Sequence, residues 1–330
     1  GLTMQERSEQ PPRETEVSPM RVIDGLRALG IQEGDHLALG LSFKSNGRVI
    51  GGPQAHIAAL QEAVGPKGTK MMNTNTEFFS IVEVERGWVD YVFEVDSTSD
   101  NTGIVPELFR RQRGVIRSRH PTLSVAAIGK YAEFLTHGHD EHGSAYLPFA
   151  RLSEIGGKYL AIGIDDRLVG LRHQAQSDAG LLGVVPWYRV VKFRNREGLT
   201  ELFTLRDRGG CIRRLPELVA DLREAGLVRE GTIGKASAVL VPVPESLQIM
   251  TAALRNHPER NLCDKLTCYW CRELERRMNL FDAIESPRFF QSSRSVVLAM
   301  ALLNRWRQAD SVLVARVKQI VKKHYLERRP

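Results

Sequence analysis

The chain has no stretch approaching the eighteen consecutive apolar residues that a membrane-crossing helix needs. Its first twenty residues, GLTMQERSEQPPRETEVSPM, lack both the basic start and the apolar core of a secretion signal, so the expected compartment is the cytoplasm. Cysteine is scarce. Cys211, Cys263, Cys268 and Cys271 are too few and too unevenly placed for a secreted disulfide framework, which agrees with a reducing setting. No repeat of fixed period is visible, so no repeat architecture is expected. What is present is ordinary globular material: 330 residues, 42% hydrophobic and 26% charged, enough for one large domain or two modest ones.

The net charge of +7 is concentrated at one end, because residues 305–330 carry eight cations against two acids. A basic tail of this kind attracts anions, an acidic protein among them. No recognised nucleic-acid module accompanies it, so no nucleic-acid partner is expected.

Residues 1–17 read as a flexible lead-in, polar and carrying a proline pair. Structure is expected from Ser18 onward. SPMRVIDGLRALG offers Ser18 as N-cap, Pro19 in the first turn, apolar residues at helical spacing and Gly30 as the stop. DHLALGLS then reads as a strand, GGPQAHIAALQEAVGPKG as a helix and TKMMNT as a strand, which is alternating α/β layering. Further helices and strands follow to about residue 258. Beyond it, 259–330 reads as an appended basic helical segment.

RSRHPTLSVAAIG, residues 117–129, crowds Arg117, Ser118, His120, Thr122 and Ser124 into a loop before a strand, with Pro121 restraining it. Such a loop reads either as a ligand site or as a capped turn whose hydroxyls satisfy local backbone. HGHDEH, residues 137–142, resembles a metal cluster, but its spacing fits no common site and it is expected to be a solvated loop. Cys263, Cys268 and Cys271 have spacing that suits zinc or an iron–sulfur cluster with Cys211 or His257 as fourth ligand. Read as one helix, however, 263–275 points Cys263 away from the other two, so buried small apolar residues and no metal site are expected.

TGIVPELFRRQRGVIRSRHPTLSVAAIG resembles the signature of the aminoglycoside 3-N-acetyltransferase family, fitting Thr102, Gly103, Pro106, Glu107, Phe109, Arg110, Arg111, Arg117, Ser118, His120, Pro121, Ser124 and Val125 in order. LQEAVGPKGTKMMNTNT, GSAYLPFARLSEIGGKYLAIGI and GTIGKASAVLV are similar to further segments of that family, so the resemblance covers roughly residues 18–258. It implies an α/β fold, a layered mixed sheet flanked by helices, with the C-terminal helical segment added. It also implies acetyl-coenzyme A or another acyl-coenzyme A as donor and an amine as acceptor.

Carried over position by position, the resemblance places Leu41, Ser42, Phe43, Thr74, Arg117, Ser118, His120 and Ser124 at the cofactor and His173 at the chemistry. Amine attack on a thioester needs a base near neutral pKa, for which histidine is the usual choice. Around that histidine the family pattern is Asn-Thr-x-x-His-x-x-Glu, whereas this chain has Val169, Gly170, His173 and Gln176. Neutral Gln176 orients a ring without supplying charge. Asp178, or Asp165, Asp166, Glu201 or Asp207 folding close, are the candidates to replace the missing carboxylate.

The leading expectation is therefore an N-acyltransferase acting on an amine of a sugar, aminocyclitol or natural-product intermediate. One alternative takes the acyl group from an acidic acyl carrier protein docked on the basic tail; another is a non-catalytic ligand- or partner-binding member. A small-molecule amine partner, no membrane span and a homodimeric assembly complete the expectations.

Overall fold

The computed structural model describes residues 16–278, apart from 100–101, 165–167, 183–188, 206–208, 210, 212, 214, 266, 269 and 276–277. The chain enters as β1 (Glu16–Val17), which pairs in parallel with Arg48–Val49 and buries Val17 completely. Packed structure is thus present ahead of Ser18, and Val17, the last residue of the expected flexible lead-in, belongs to the core. α1 (Pro19–Leu29) follows its local signals: the Ser18 hydroxyl accepts the Arg21 amide, and Gly30 adopts the left-handed conformation that ends the helix. β2 (His36–Leu41), β3 (Arg48–Val49), α2 (Gly52–Val64) and β4 (Thr69–Asn73) continue the expected alternation.

Next come β5 (Phe79–Ser80), α3 (Ile81–Glu85), β6 (Val92–Phe93), α4 (Ile104–Arg110), β7 (Ile116–Arg117) and β8 (Val125–Gly129). The second half holds α5 (Ala132–Thr136), α6 (Leu147–Glu154), β9 (Lys158–Ile162), α7 (Val169–Asp178), β10 (Arg189–Arg194) and β11 (Thr200–Thr204). α8 (Leu215–Glu224), β12 (Arg229–Ile233), β13 (Ala236–Pro242) and α9 (Val243–Asn256) follow.

Seven strands form one mixed sheet in the order β12-β13-β9-β2-β4-β8-β7, in which β9, β2 and β4 run parallel and the other pairings are antiparallel. Side chains alternate across it. Leu37, Leu39, Met72, Leu160 and Ile162 join α1, α2 and α4 in one core, while Ala38, Met71, Tyr159 and Ala161 face the core of α5 to α9. A smaller sheet gathers β5, β6 and β11 on β10, with β10 and β11 as a hairpin.

The topology places the site. β2 has β4 on one side and β9 on the other, both parallel to it, so the chain reverses its direction of build-out at β2, and the C-terminal ends of these strands are where a sheet of this topology forms its crevice. β8 runs opposite to β4 and pairs Val125 with Asn73, which brings the loop before β8 to the same edge. Past α9, a 3-10 turn (Pro258–Asn261) folds back on the core: Arg260 holds Asp221 of α8 at 2.8 Å. The segment beyond residue 258 is therefore docked at its start, while the basic residues 305–330 lie outside the described residues. No helix among the described residues is long and apolar enough to cross a membrane.

Candidate active site

α7 starts shortly after β9 ends at the crevice edge. Its N-cap residue, Leu168, is buried with a left-handed backbone (φ 45°), a conformation that costs a non-glycine residue about 1–2 kcal/mol. The helix sets His173 and Gln176 three residues apart on one face. His173 Nδ1 lies 2.5 Å from Gln176 Oε1, the Gln176 Nε2 donates to Asn261 Oδ1, and Asn261 Nδ2 donates to the Leu181 carbonyl at 3.1 Å.

This chain of contacts has a direction. The Leu181 carbonyl only accepts, so Asn261 turns its NH2 toward it and its oxygen toward Gln176. Gln176 in turn gives its NH2 to Asn261 and its oxygen to His173, which must carry its proton on Nδ1. In the neutral ring the lone pair is then on Nε2, the arrangement a general base requires.

The imidazole is 4% exposed, with the Tyr146 ring 5.1 Å from it, centroid to centroid, on one side. Gly209 packs so closely that a Cβ there would come within 2.0 Å of His173 Nδ1, and its amide donates to the Tyr146 hydroxyl at 2.7 Å. Asp178 does not take the place of the missing carboxylate. Five residues on, it lies about 140° around the helix from His173; its carboxylate accepts from Gln174 at 2.8 Å, and burial raises its pKa. Glu201 sits on exposed β11 and accepts from Asn195, whereas Asp165, Asp166 and Asp207 lie outside the described residues.

The loop before β8 is brought to the same edge, but its polar groups are committed to one another. Arg117 donates to Thr74 Oγ1, Ser124 Oγ and the carbonyls of Thr74, Val95 and Ser97, and packs on the Phe93 ring. Its burial and these contacts make it a clamp between β4, β8 and the loop after β6, at the edge where the resemblance places the cofactor. Ser124 and Thr74 exchange further hydrogen bonds. His120 Nδ1 accepts the Leu123 amide at 3.0 Å, so it caps the turn.

The Ser118 hydroxyl bonds the Val125 amide and His139 Nδ1, both at 2.9 Å, and His139 Nε2 faces the Ala145 carbonyl at 3.0 Å. His139 stacks on His120 with centroids 4.9 Å apart, and burial holds its pKa down to about 4. HGHDEH is thus only partly the expected solvated loop, since its middle histidine is a buried strut. Ala145 touches this network and its neighbour Tyr146 touches His173, so residues 145–146 join the two halves of the site. Leu41, Ser42 and Phe43 end β2 at the crevice, half-buried, with the Ser42 amide on the Ile162 carbonyl.

Residues 40–255 match the family model for aminoglycoside 3-N-acetyltransferase. The aminoglycoside N(3)-acetyltransferase VII of Streptomyces paromomycinus is 30% identical over 267 residues, covering 72% of this chain and 90% of that protein. The type IX protein of Micromonospora chalcea is 29% identical over 251 residues, 68% of this chain and 88% of its own length. The chain belongs to the aminoglycoside 3-N-acetyltransferase family.

Among solved structures, the acetyltransferase AAC(3)-IVa in complex with gentamicin superposes with a TM-score of 0.68 at 25% identity, over 80% of this chain and 98% of that one. AAC-IIIb, solved as a binary complex with CoASH, gives 0.62 at 25% identity over 73% and 97%. Much of what makes this chain resemble the acetyltransferase family holds the fold. Glu107 accepts from Ser99 and from Arg110 at 2.6 Å and pairs with Arg111; against the opposing effect of burial, these hydrogen bonds lower its pKa to about 2.

Asn261, by contrast, lies beyond residues 40–255, which the family model matches. The cysteines that follow it are buried as expected, but Cys263 does not point away from the other two. Among the described residues of 263–275, helix begins at 270, and Cys263 lies ahead of it with its amide donating to Cys271 Sγ at 3.2 Å. Cys211, Cys263, Cys268 and Cys271 converge, with all four sulfurs within 4.8 Å of one another, while His257 is exposed beside Glu259.

Proposed function

We propose that this family member moves an acetyl group from acetyl-coenzyme A to an amine of an aminoglycoside, an amino sugar or a related aminocyclitol. The observation that carries this reading is the polarity of the chain from His173 through Gln176 and Asn261 to Leu181. His173 Nε2 takes the proton released as the amine nitrogen bonds the thioester carbonyl carbon. The carbon–sulfur bond breaks and the departing thiolate receives the proton, so the products are the amide and free coenzyme A thiol. Removing the carboxylate partner of a catalytic histidine is most damaging when it leaves the ring in the wrong tautomer. Here the relay keeps the productive tautomer, so the deficit is confined to the lost charge beside the imidazolium.

The donor is assigned to the crevice at Leu41, Ser42 and Phe43, with Thr74, Arg117, Ser118, His120 and Ser124 shaping the facing loop. CoASH and gentamicin in the two neighbouring structures support the donor and acceptor classes. Cytoplasmic acetyl-coenzyme A is the proposed pool, and an amine of a natural-product pathway is within the acceptor class. The charge of residues 305–330 favours one further arm, an acidic acyl carrier protein as donor.

The test is thiol release from acetyl-coenzyme A with a panel of aminoglycosides, aminocyclitols and amino sugars. Amine-dependent release supports the proposal. Thermal stabilisation by acetyl-coenzyme A without turnover on any amine contradicts it and favours a binding role. Removing 305–330 separates the donors, since a docking tail predicts loss of carrier-dependent transfer alone, shrinking at high salt.

A further inference from the structure

We propose that Cys211, Cys263, Cys268 and Cys271 form a closed tetrahedral zinc site that fastens the segment after α9 to the α/β core. The four sulfurs already lie within 4.8 Å of one another, and three of the four residues are buried. Zinc–sulfur bonds of about 2.3 Å imply sulfur–sulfur edges of about 3.8 Å, so closing the site asks only a modest contraction. Four sulfurs, with no oxygen or nitrogen donor in the cluster among the described residues, suit a structural zinc better than a catalytic one, which keeps a position open.

The surroundings are arranged for negative charge on sulfur. The Cys263 amide donates to Cys271 Sγ at 3.2 Å, and the amides of Arg213 and Lys265 bond the sulfurs of Cys211 and Cys263. Arg272 Nη2 braces the same loop through the Cys263 carbonyl at 2.5 Å.

An independent observation comes from α7. Arg172 is 0% exposed, and Nε and both terminal nitrogens of its guanidinium have no hydrogen-bond partner. The groups whose charge acts on it are Cys211, Glu217 and Cys271. A buried cation left without hydrogen bonds is costly unless anionic charge lies beside it. Glu217 supplies one acidic neighbour and four neutral thiols add nothing to it, whereas zinc held by four thiolates carries a further net charge of −2. Zinc binding with release of the thiol protons therefore accounts for both the convergence of the sulfurs and the buried arginine.

The site would also act on the chemistry at one remove. Cys263 follows Asn261 by two residues and Arg172 precedes His173, so the metal site adjoins the relay at both His173 and Asn261. Three of its ligands lie beyond residue 255, where the family match ends.

Full-length protein purified without chelator is expected to contain one zinc per chain by elemental mass spectrometry. Cobalt(II) exchange is expected to give a thiolate-to-cobalt charge-transfer band and strong tetrahedral ligand-field bands. Cys211→Ser should lose at least tenfold in zinc affinity, while Cys268→His, which restores a ligand, should retain the metal. Zinc below a tenth of an equivalent with four freely alkylated thiols, a pair of disulfides in the non-reduced peptide map, or stoichiometric iron in place of zinc would each overturn the proposal. None of these readouts depends on acetyl transfer.

Discussion

Asn261→Leu removes the middle of the relay while keeping side-chain volume nearly constant. It leaves the Gln176 NH2 and the Leu181 carbonyl, both now bonded to Asn261, without a partner. Each buried group so stranded costs roughly 1–3 kcal/mol, and stability is expected to fall by about 2 kcal/mol or more. The sharper consequence concerns the proton on His173. In the parent, turning the amides round would set the Asn261 oxygen against the Leu181 oxygen and forfeit about 1–3 kcal/mol, so the Nδ1–H tautomer should outweigh the other by roughly 5- to 150-fold. In the variant Gln176 turns freely and the two tautomers should come within a few-fold of each other. Nitrogen-15 NMR of histidine-labelled protein, at a pH where the ring is neutral, reads the ratio directly. Turnover should fall by about twofold from the tautomer population alone, with the donor KM unchanged. A parent protonated mainly on Nε2, or a ratio unaltered by the substitution, would refute the directional argument.

Gln176→Glu sets a carboxylate on the Nδ1 proton and stabilises imidazolium, so the acid limb of kcat/KM should move to higher pH; an unmoved limb would count against His173 as the base. Gly209→Ala places a methyl group within 2.0 Å of His173 Nδ1, and kcat/KM is expected to drop by about 100-fold or more as the ring is displaced; unchanged kinetics would disprove the packing. His56 is buried with neither ring nitrogen bonded, and burial lowers its pKa from 6.5 to about 4. The unfolded chain therefore takes up a proton that the folded chain refuses, and stability falls as pH drops from 6.5 to about 4. His56→Leu should gain on the parent steadily across that window in denaturant titrations, and a pH-independent difference would contradict the assignment.

The layered α/β core was legible because its signals are local. Ser18 and Gly30 bound α1 by capping chemistry, and strand side chains sort between the two cores by simple alternation. At the site, the three-residue spacing of His173 and Gln176 already implied contact on a helix face. Asn261 was not readable, since it reaches Gln176 from 85 positions away by a turn whose path depends on packing against α8. The hydrogen bonds of Arg117 were hidden for a similar reason: the Val95 and Ser97 carbonyls that accept from it come from a loop whose position no local pattern sets. The direction of Cys263 was misjudged because a single helix was assumed over 263–275, whereas the Cys263 amide reaches Cys271 Sγ from ahead of the helix that begins at 270.

The most direct test of the account is amine-dependent thiol release from acetyl-coenzyme A by His173→Gln beside the parent. Glutamine keeps a polar side chain next to Gln176 but has no basic nitrogen. The rate should fall by about 100-fold or more while acetyl-coenzyme A still stabilises the protein against heat. A variant that turns over as fast as the parent would show that the base lies elsewhere.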